Sequence, residues 1–244
     1  MTPIQAQSLP KIIAGEDVIA QGKTGSGKTA AFGLGLLASL NVKQFRIQAL
    51  VLCPTRELAD QVAKEIRRLA RSIHNIKVLT LCGGMPFGPQ VGSLEHGAHI
   101  IVGTPGRIEE HVRKGTLVFN SLKTLVLDEA DRMLEMGFQP ALDAIIEDMP
   151  VNRQTLLFSA TFPEEIESVA QRIMQKPVRV AVESRHTNNI IDQRVYEVGN
   201  DNHRLQALQL LLLDLDPESS VVFCNTKLET QALADVLKRA DFSA

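Results

Sequence analysis

Six short apolar runs in this chain each stop at a polar or glycine-bearing motif. Residues 17–21 lead into Gly22-Lys23-Thr24-Gly25-Ser26-Gly27-Lys28-Thr29, 49–53 into Pro54-Thr55-Arg56-Glu57, and 77–82 into Gly83-Gly84. Residues 100–102 lead into Gly103-Thr104-Pro105-Gly106-Arg107, 124–127 into Asp128-Glu129-Ala130-Asp131, and 155–158 into Ser159-Ala160-Thr161. Runs of Val, Ile and Leu that lack apolar–polar alternation predict strands buried on both faces, as in a parallel sheet. Ligands of such an open sheet bind beyond the carboxyl ends of its strands, so all six motifs are expected on one rim.

Helical periodicity fills the gaps between the runs. Leu58, Val62, Ile66, Leu69 and Ile73 form one apolar stripe, with Lys64, Arg67, Arg68 and Arg71 off it as a solvated face. Phe138, Leu142, Ile145, Ile146 and Met149 form a second stripe, and Ile166, Val169, Ala170, Ile173 and Met174 a third. Right-handed crossovers wind this alternation into one doubly wound α/β domain with helices on both faces. A seventh strand is expected at 178–182, followed by a polar linker at 184–189. Beyond it, strands at 193–198 and 220–224 and helices at 203–213 and 228–240 suggest the start of a second α/β unit.

Composition sets limits without choosing a function. The formal charge of −2 gives no basic footprint of a nucleic-acid binder, so any phosphate contacts must be local. Cys53, Cys82 and Cys224 are far apart with no C-x-x-C spacing, as expected of apolar strand residues in a reducing compartment. The longest apolar stretch, 30–40, falls well short of the roughly 20 residues that cross a bilayer. A cytoplasmic protein without a membrane partner is expected.

The octapeptide 22–29 matches the phosphate-loop pattern completely and sits between a strand and a helix, as that pattern requires. Gly22, Thr24, Gly25, Ser26 and Gly27 let the backbone wrap the phosphates of a nucleotide with its N–H groups inward. Lys28 is expected to reach the β- and γ-phosphates of ATP, and the Thr29 hydroxyl to ligate Mg²⁺. Asp128 and Glu129 taken alone are an acidic strand end that caps the next helix. Beside a complete phosphate loop they suit a Mg²⁺-holding acid and a general base, respectively.

With these motifs in order, residues 1–183 resemble the DEAD-box ATP-dependent RNA helicases, on Pro54-Thr55-Arg56-Glu57-Leu58-Ala59, Asp128-Glu129-Ala130-Asp131 and Ser159-Ala160-Thr161. The segments 20–37 and 82–90 are similar to the bacterial DbpA branch. The resemblance implies a RecA-like phosphate-loop domain at 1–183 and the opening of a second such domain at 190–244. It also implies that Gln5, in Thr2-Pro3-Ile4-Gln5, reads adenine, although alone Gln5 is an ordinary terminal polar residue. The family's adenine-stacking aromatic lies upstream of residue 1. Asp131, Ser159 and Thr161 match a motif that couples the ATP site to RNA; alone, the two hydroxyls would bond their own backbone.

Thr55-Arg56, Gly83-Gly84 and Thr104-Pro105-Gly106-Arg107 in isolation are caps and turns. Together on the ATP rim, and matching the family's RNA motifs, they are expected to hold RNA by its backbone. Val221-Val222-Phe223-Cys224-Asn225-Thr226-Lys227 resembles an RNA-contacting strand of the second domain, and no H-R-x-G-R-x-G-R-like arginine-finger string follows. The expectation is therefore a helicase core cut short, which binds ATP but hydrolyses and unwinds poorly. The alternatives are a non-catalytic nucleotide- or RNA-binding module and a DNA-directed phosphate-loop translocase. Ribosomal RNA as target and self-association through the partial second unit complete the expectations.

Overall fold

The computed structural model describes residues 1–182, 192–199 and 201–242. The chain divides into two units, Met1–Arg185 and His186–Ala244; the expected linker at 184–189 lies outside the described residues.

The first unit is a seven-stranded sheet, every described pairing of which is parallel. Its strands are β1 (Val18–Gln21), β2 (Ala49–Leu52), β3 (Val78–Leu81), β4 (Ile100–Gly103), β5 (Thr124–Asp128), β6 (Gln154–Ser159) and β7 (Val178–Ala181). They lie in the order β3-β4-β2-β5-β6-β1-β7. Each expected run forms a strand within one or two residues of its anticipated ends.

Side-chain alternation splits the core in two. Leu50, Leu52, Leu125 and Leu127 enter one cluster while Ala49, Val51 and Val126 enter the other, because successive residues of a strand point to opposite faces. The first cluster is covered by α5 (Pro105–Arg113), α6 (Ala130–Glu135), α7 (Gln139–Glu147) and α8 (Glu164–Ile173), through Ile108, Met133, Leu142, Ile145, Ile166 and Val169. The second is covered by α1 (Pro3–Ile13), α2 (Lys28–Ser39) and α3 (Arg56–Leu69), through Ile4, Phe32, Leu36, Val62 and Ile66. A further helix, α4 (Phe87–Glu95), follows β3. Phe158 at the end of β6 packs against Phe32 of α2, ring centroids 5.1 Å apart, so the helix that follows the phosphate loop is pinned to the sheet.

The three apolar stripes face the core as expected, with one shift. In α3 the buried positions are Ala59, Val62, Ala63 and Ile66, and Leu58 and Leu69 sit at the margin. Arg67 is exposed but not idle: its guanidinium donates to the Val78 carbonyl (2.9 Å) and Thr80 Oγ1 (3.2 Å) of the edge strand β3.

In the second unit the described residues form two helices, α9 (Asp201–Leu215) and α10 (Lys227–Arg239), close to expectation. Thr226 caps α10, accepting from the Glu229 N–H at 3.1 Å, while Glu229 Oε2 accepts from the Thr226 N–H, also at 3.1 Å. The strands expected at 193–198 and 220–224 do not form. Val195 is 99% and Phe223 93% exposed. Strand propensity is a preference for a half-buried pleated surface, and among the described residues neither segment has a ladder to join.

Candidate nucleotide site and nucleic-acid groove

The phosphate loop joins the end of β1 to α2. Gly22 N–H donates to the Ser159 carbonyl at 3.0 Å, which ties the start of the loop to the neighbouring strand β6. Gly27 caps α2 with φ of 96°, a left-handed conformation that glycine adopts without steric cost. A side chain there would also strike Gln5 Nε2 and Thr2 Oγ1. Lys28 is 6% exposed, and its ammonium donates to the Gly22 carbonyl at 2.5 Å, folded back across the loop.

Gln5 sits in the first turn of α1. Its Nε2 donates to the Gly27 carbonyl (3.1 Å) and its Oε1 accepts from the Thr2 N–H (3.0 Å). The amide thus braces the loop from outside, and one donor and one acceptor position remain for a ligand.

Asp128 ends β5 at 3% exposure, between the loop and the sheet. Burial, against the lowering effect of Lys28 and with Glu129 adding to it, raises its pKa to about 7. Asp128 Oδ1 and Ser26 Oγ are buried polar atoms with no partner among the described residues. Such orphans are costly in a folded protein unless a ligand engages them. They fit a nucleotide phosphate and its cation. No group of three or more His, Cys, Asp or Glu side chains among the described residues is arranged to hold a metal by itself. Glu129 follows with φ of 52°, rare for a residue with a side chain, and this turn aims its carboxylate back at the loop, where Oε1 accepts from Thr24 Oγ1 at 3.3 Å. A cavity of about 340 Å³ is lined by Thr24, Gly25, Gly27, Lys28, Thr29, Asp128 and Glu129, with Leu58, Gln61, Val62 and Glu65 of α3 as its far wall.

Ser159 occupies the position between the two halves of this site. The register places it beside Gln21 of β1, and the preceding Phe158 beside Asp128 of β5. Its hydroxyl accepts from the Asp131 N–H at 3.3 Å. Asp131 Oδ2 in turn accepts from both the N–H and the hydroxyl of Thr161, at 2.9 and 2.8 Å. Burial would raise the Asp131 pKa, but these bonds from Thr161, with Ser159 and the Arg132 N–H, outweigh it and hold the carboxyl below its ordinary value.

A second depression, about 530 Å³, gathers Thr55, Arg56, Gly83, Gly84, Thr104, Gly106 and Arg107, with Met136 and Phe138 beside them. Of the eight residues expected to face nucleic acid, Pro105 alone does not line it, being buried at the start of α5. Gly84 has φ of 74°, and a Cβ there would meet the Arg56 guanidinium. Gly83 N–H donates to Thr104 Oγ1 at 3.3 Å, which joins two of the motifs directly.

Residues 2–169 match the DEAD/DEAH box helicase family. The chain belongs to that family. It is 55% identical over 244 residues to the ATP-dependent RNA helicase DbpA of Escherichia coli (strain K12), covering all of this chain and 53% of that protein. It is 42% identical over 243 residues to the DEAD-box ATP-dependent RNA helicase CshA of Geobacillus kaustophilus (strain HTA426), of which it covers 52%. The crystal structure of a DEAD box protein from the hyperthermophile Methanococcus jannaschii superposes with a TM-score of 0.72 at 40% identity, covering 99% of this chain and 64% of that one. The chain spans about half the length of these curated relatives.

Two sets of site residues were not singled out from the sequence of this DEAD-box chain. Leu58 and Val62 belong to the apolar stripe that reads as core, and Gln61 and Glu65, which join them on the cavity's far wall at spacings of three and four, carry no motif of their own. Phe87, Gln90 and His111, beneath the groove, lie in α4 and α5 with no recognisable motif spacing.

Proposed function

We propose that this chain is the ATP-binding part of an ATP-dependent RNA helicase, coupling Mg²⁺-ATP binding and hydrolysis to engagement of an RNA backbone. Residues 1–183 would form the helicase ATP-binding domain and 190–244 part of a second RecA-like domain. The observation that carries this reading is the shared strand end: one residue, Ser159, bonds both the phosphate loop and the DEAD segment, and the groove opens along the same rim of the sheet.

The residues divide the work by their chemistry. Backbone N–H groups of the loop would bind phosphate, reinforced by the N-terminus of α2. Lys28 exchanges its bond to the Gly22 carbonyl for phosphate oxygens and balances their charge. Thr29 and Asp128 would hold Mg²⁺, which neutralises charge developing on the phosphates when bound. Glu129, turned toward the loop by its strained backbone, orients the attacking water and takes its proton. Gln5 reads adenine with the positions its brace leaves open. Asp131, Ser159 and Thr161 transmit the state of the nucleotide site. Thr55, Arg56, Gly83, Gly84, Thr104, Gly106 and Arg107 present small residues, backbone N–H groups and two guanidinium groups to an RNA backbone, and the buried Pro105 starts the helix that carries Arg107.

ATP turnover measured with and without RNA, with Lys28→Ala as control, tests the reading. Turnover stimulated by RNA and abolished in the control supports it. No turnover, with nucleotide binding lost in the control, is the outcome expected of a part that binds ATP but hydrolyses it poorly; nucleotide binding unchanged in the control would overturn the reading, and equal stimulation by DNA would favour the translocase. A ribosomal RNA target, a cytoplasmic site of action and self-association belong to the same proposal; no helix among the described residues is long and apolar enough to cross a membrane.

A further inference from the structure

Beneath the groove, the turn that carries Gly83 and Gly84 and the helix that carries Arg107 are joined by side chains outside the family motifs. The His111 imidazole of α5 stacks on the Phe87 ring at the start of α4, centroids 4.3 Å apart and planes 20° from parallel. Two cations attend the same ring, Lys114 Nζ at 4.0 Å and the Arg107 guanidinium carbon at 5.7 Å from its centroid. A cation near an aromatic face is drawn to the ring quadrupole, so Phe87 helps fix where Arg107 lies. Arg107 is held further by donating Nη1 to the Met85 carbonyl (2.9 Å) and by pairing Nε with Glu110 Oε2 (3.1 Å).

His111 also reaches the glycine turn through Gln90. Gln90 Nε2 donates to the Cys82 carbonyl (3.1 Å), immediately before Gly83, and this orients Oε1 toward His111 Nε2 at 3.2 Å. Since an amide oxygen only accepts, Nε2 carries the imidazole proton. Nδ1 lies 2.8 Å from Thr116 Oγ1. Burial, with Arg107 and Lys114 nearby, lowers the His111 pKa from its ordinary value against the pull of Glu110, which suits a neutral ring lying flat on Phe87.

We propose that Phe87 and His111 are positioning residues for RNA binding: their stack, with Gln90, locks the Gly83–Gly84 turn and Arg107 into one rigid wall of the groove. Neither residue lines the groove, so the effect runs through the groups they hold. The inference rests on the assignment of the groove to RNA.

The test is fluorescence anisotropy of a labelled oligouridylate bound by the whole chain in saturating Mg²⁺-ATP, with ATP affinity and the thermal midpoint measured in parallel. Phe87→Leu keeps apolar volume but loses the ring, Phe87→Tyr keeps the ring, and His111→Leu loses the stack and the link to Gln90. The expected result is RNA binding weakened about 5- to 10-fold in Phe87→Leu and His111→Leu and changed less than about 2-fold in Phe87→Tyr. ATP affinity stays at the wild-type value in all three. Wild-type RNA affinity in Phe87→Leu, equal losses in Phe87→Tyr and Phe87→Leu, or a joint fall of ATP and RNA affinity would each overturn the proposal. Arg107→Ala separates the two levels: if it too binds RNA normally, the groove assignment itself fails, whereas a loss there beside a normal Phe87→Leu defeats this inference alone.

Discussion

Thr161 donates twice to a single oxygen of Asp131, by its backbone N–H at 2.9 Å and by its hydroxyl at 2.8 Å. The strand end that carries Ser159-Ala160-Thr161 is thereby fastened to the helix that begins beside the buried Asp128. Movement at either segment must break or carry charge-assisted hydrogen bonds, which are the stronger class.

Loss of this fastening should be visible in titration. The folded Asp131 binds its proton less tightly than the unfolded chain, whose ordinary value is 3.8, so its contribution to stability is complete above that value and is lost as pH falls through the folded pKa. Thr161→Val removes the hydroxyl donor and should raise the Asp131 pKa, at a cost of about 1 kcal/mol after allowance for partial exposure. Carbon-13 NMR of the carboxyl group follows the pKa directly; an unchanged value in the variant would contradict the geometry.

Asp128 carries the opposite sign. Its folded pKa of about 7 lies above the ordinary 3.8, so without ligand it stabilises the folded chain most at low pH, and this stabilisation is lost as pH rises through about 7. Asp128→Asn removes the charge that burial penalises. In the ligand-free chain at pH 8 the variant is expected to unfold at a higher temperature than wild type, with the difference shrinking toward pH 5. Thermal midpoints at the two pH values measure it, and a variant less stable at pH 8 would count against the assignment.

The proposed groove predicts an electrostatic signature. Arg107→Ala should weaken RNA binding to a similar degree for unrelated sequences and should lower the slope of log K against log salt by about 1. A loss confined to one RNA sequence would instead assign Arg107 to base reading.

The packing that places the phosphate loop should be costly to remove. Phe158 is fully buried against Phe32. Phe158→Ala is expected to destabilise the first unit by about 3–5 kcal/mol, as a large-to-small change in a core does. Urea unfolding reads the loss, and nucleotide affinity should fall with it even though Phe158 does not line the nucleotide cavity.

The sequence by itself determined the strands, the helix stripes and the rim. Seven apolar runs became seven parallel strands because short runs of Val, Ile and Leu between helical stretches bury both faces in a parallel sheet, and motifs written at strand ends must then lie together. Gly22 to Thr29 could be recognised because a phosphate loop is local: its geometry is set by neighbours in the chain. The tertiary structure alone decided what depends on adjacency across the sheet. The order β5-β6-β1 puts Ser159 between the DEAD segment and the phosphate loop, which no spacing along the chain could reveal. The same holds for Phe87 and His111, twenty-four positions apart in sequence, whose stack exists because β3 and β4, the strands before α4 and α5, are neighbours in the sheet. The runs at 193–198 and 220–224 show the converse, since apolar content favours a strand but only a paired neighbour makes one.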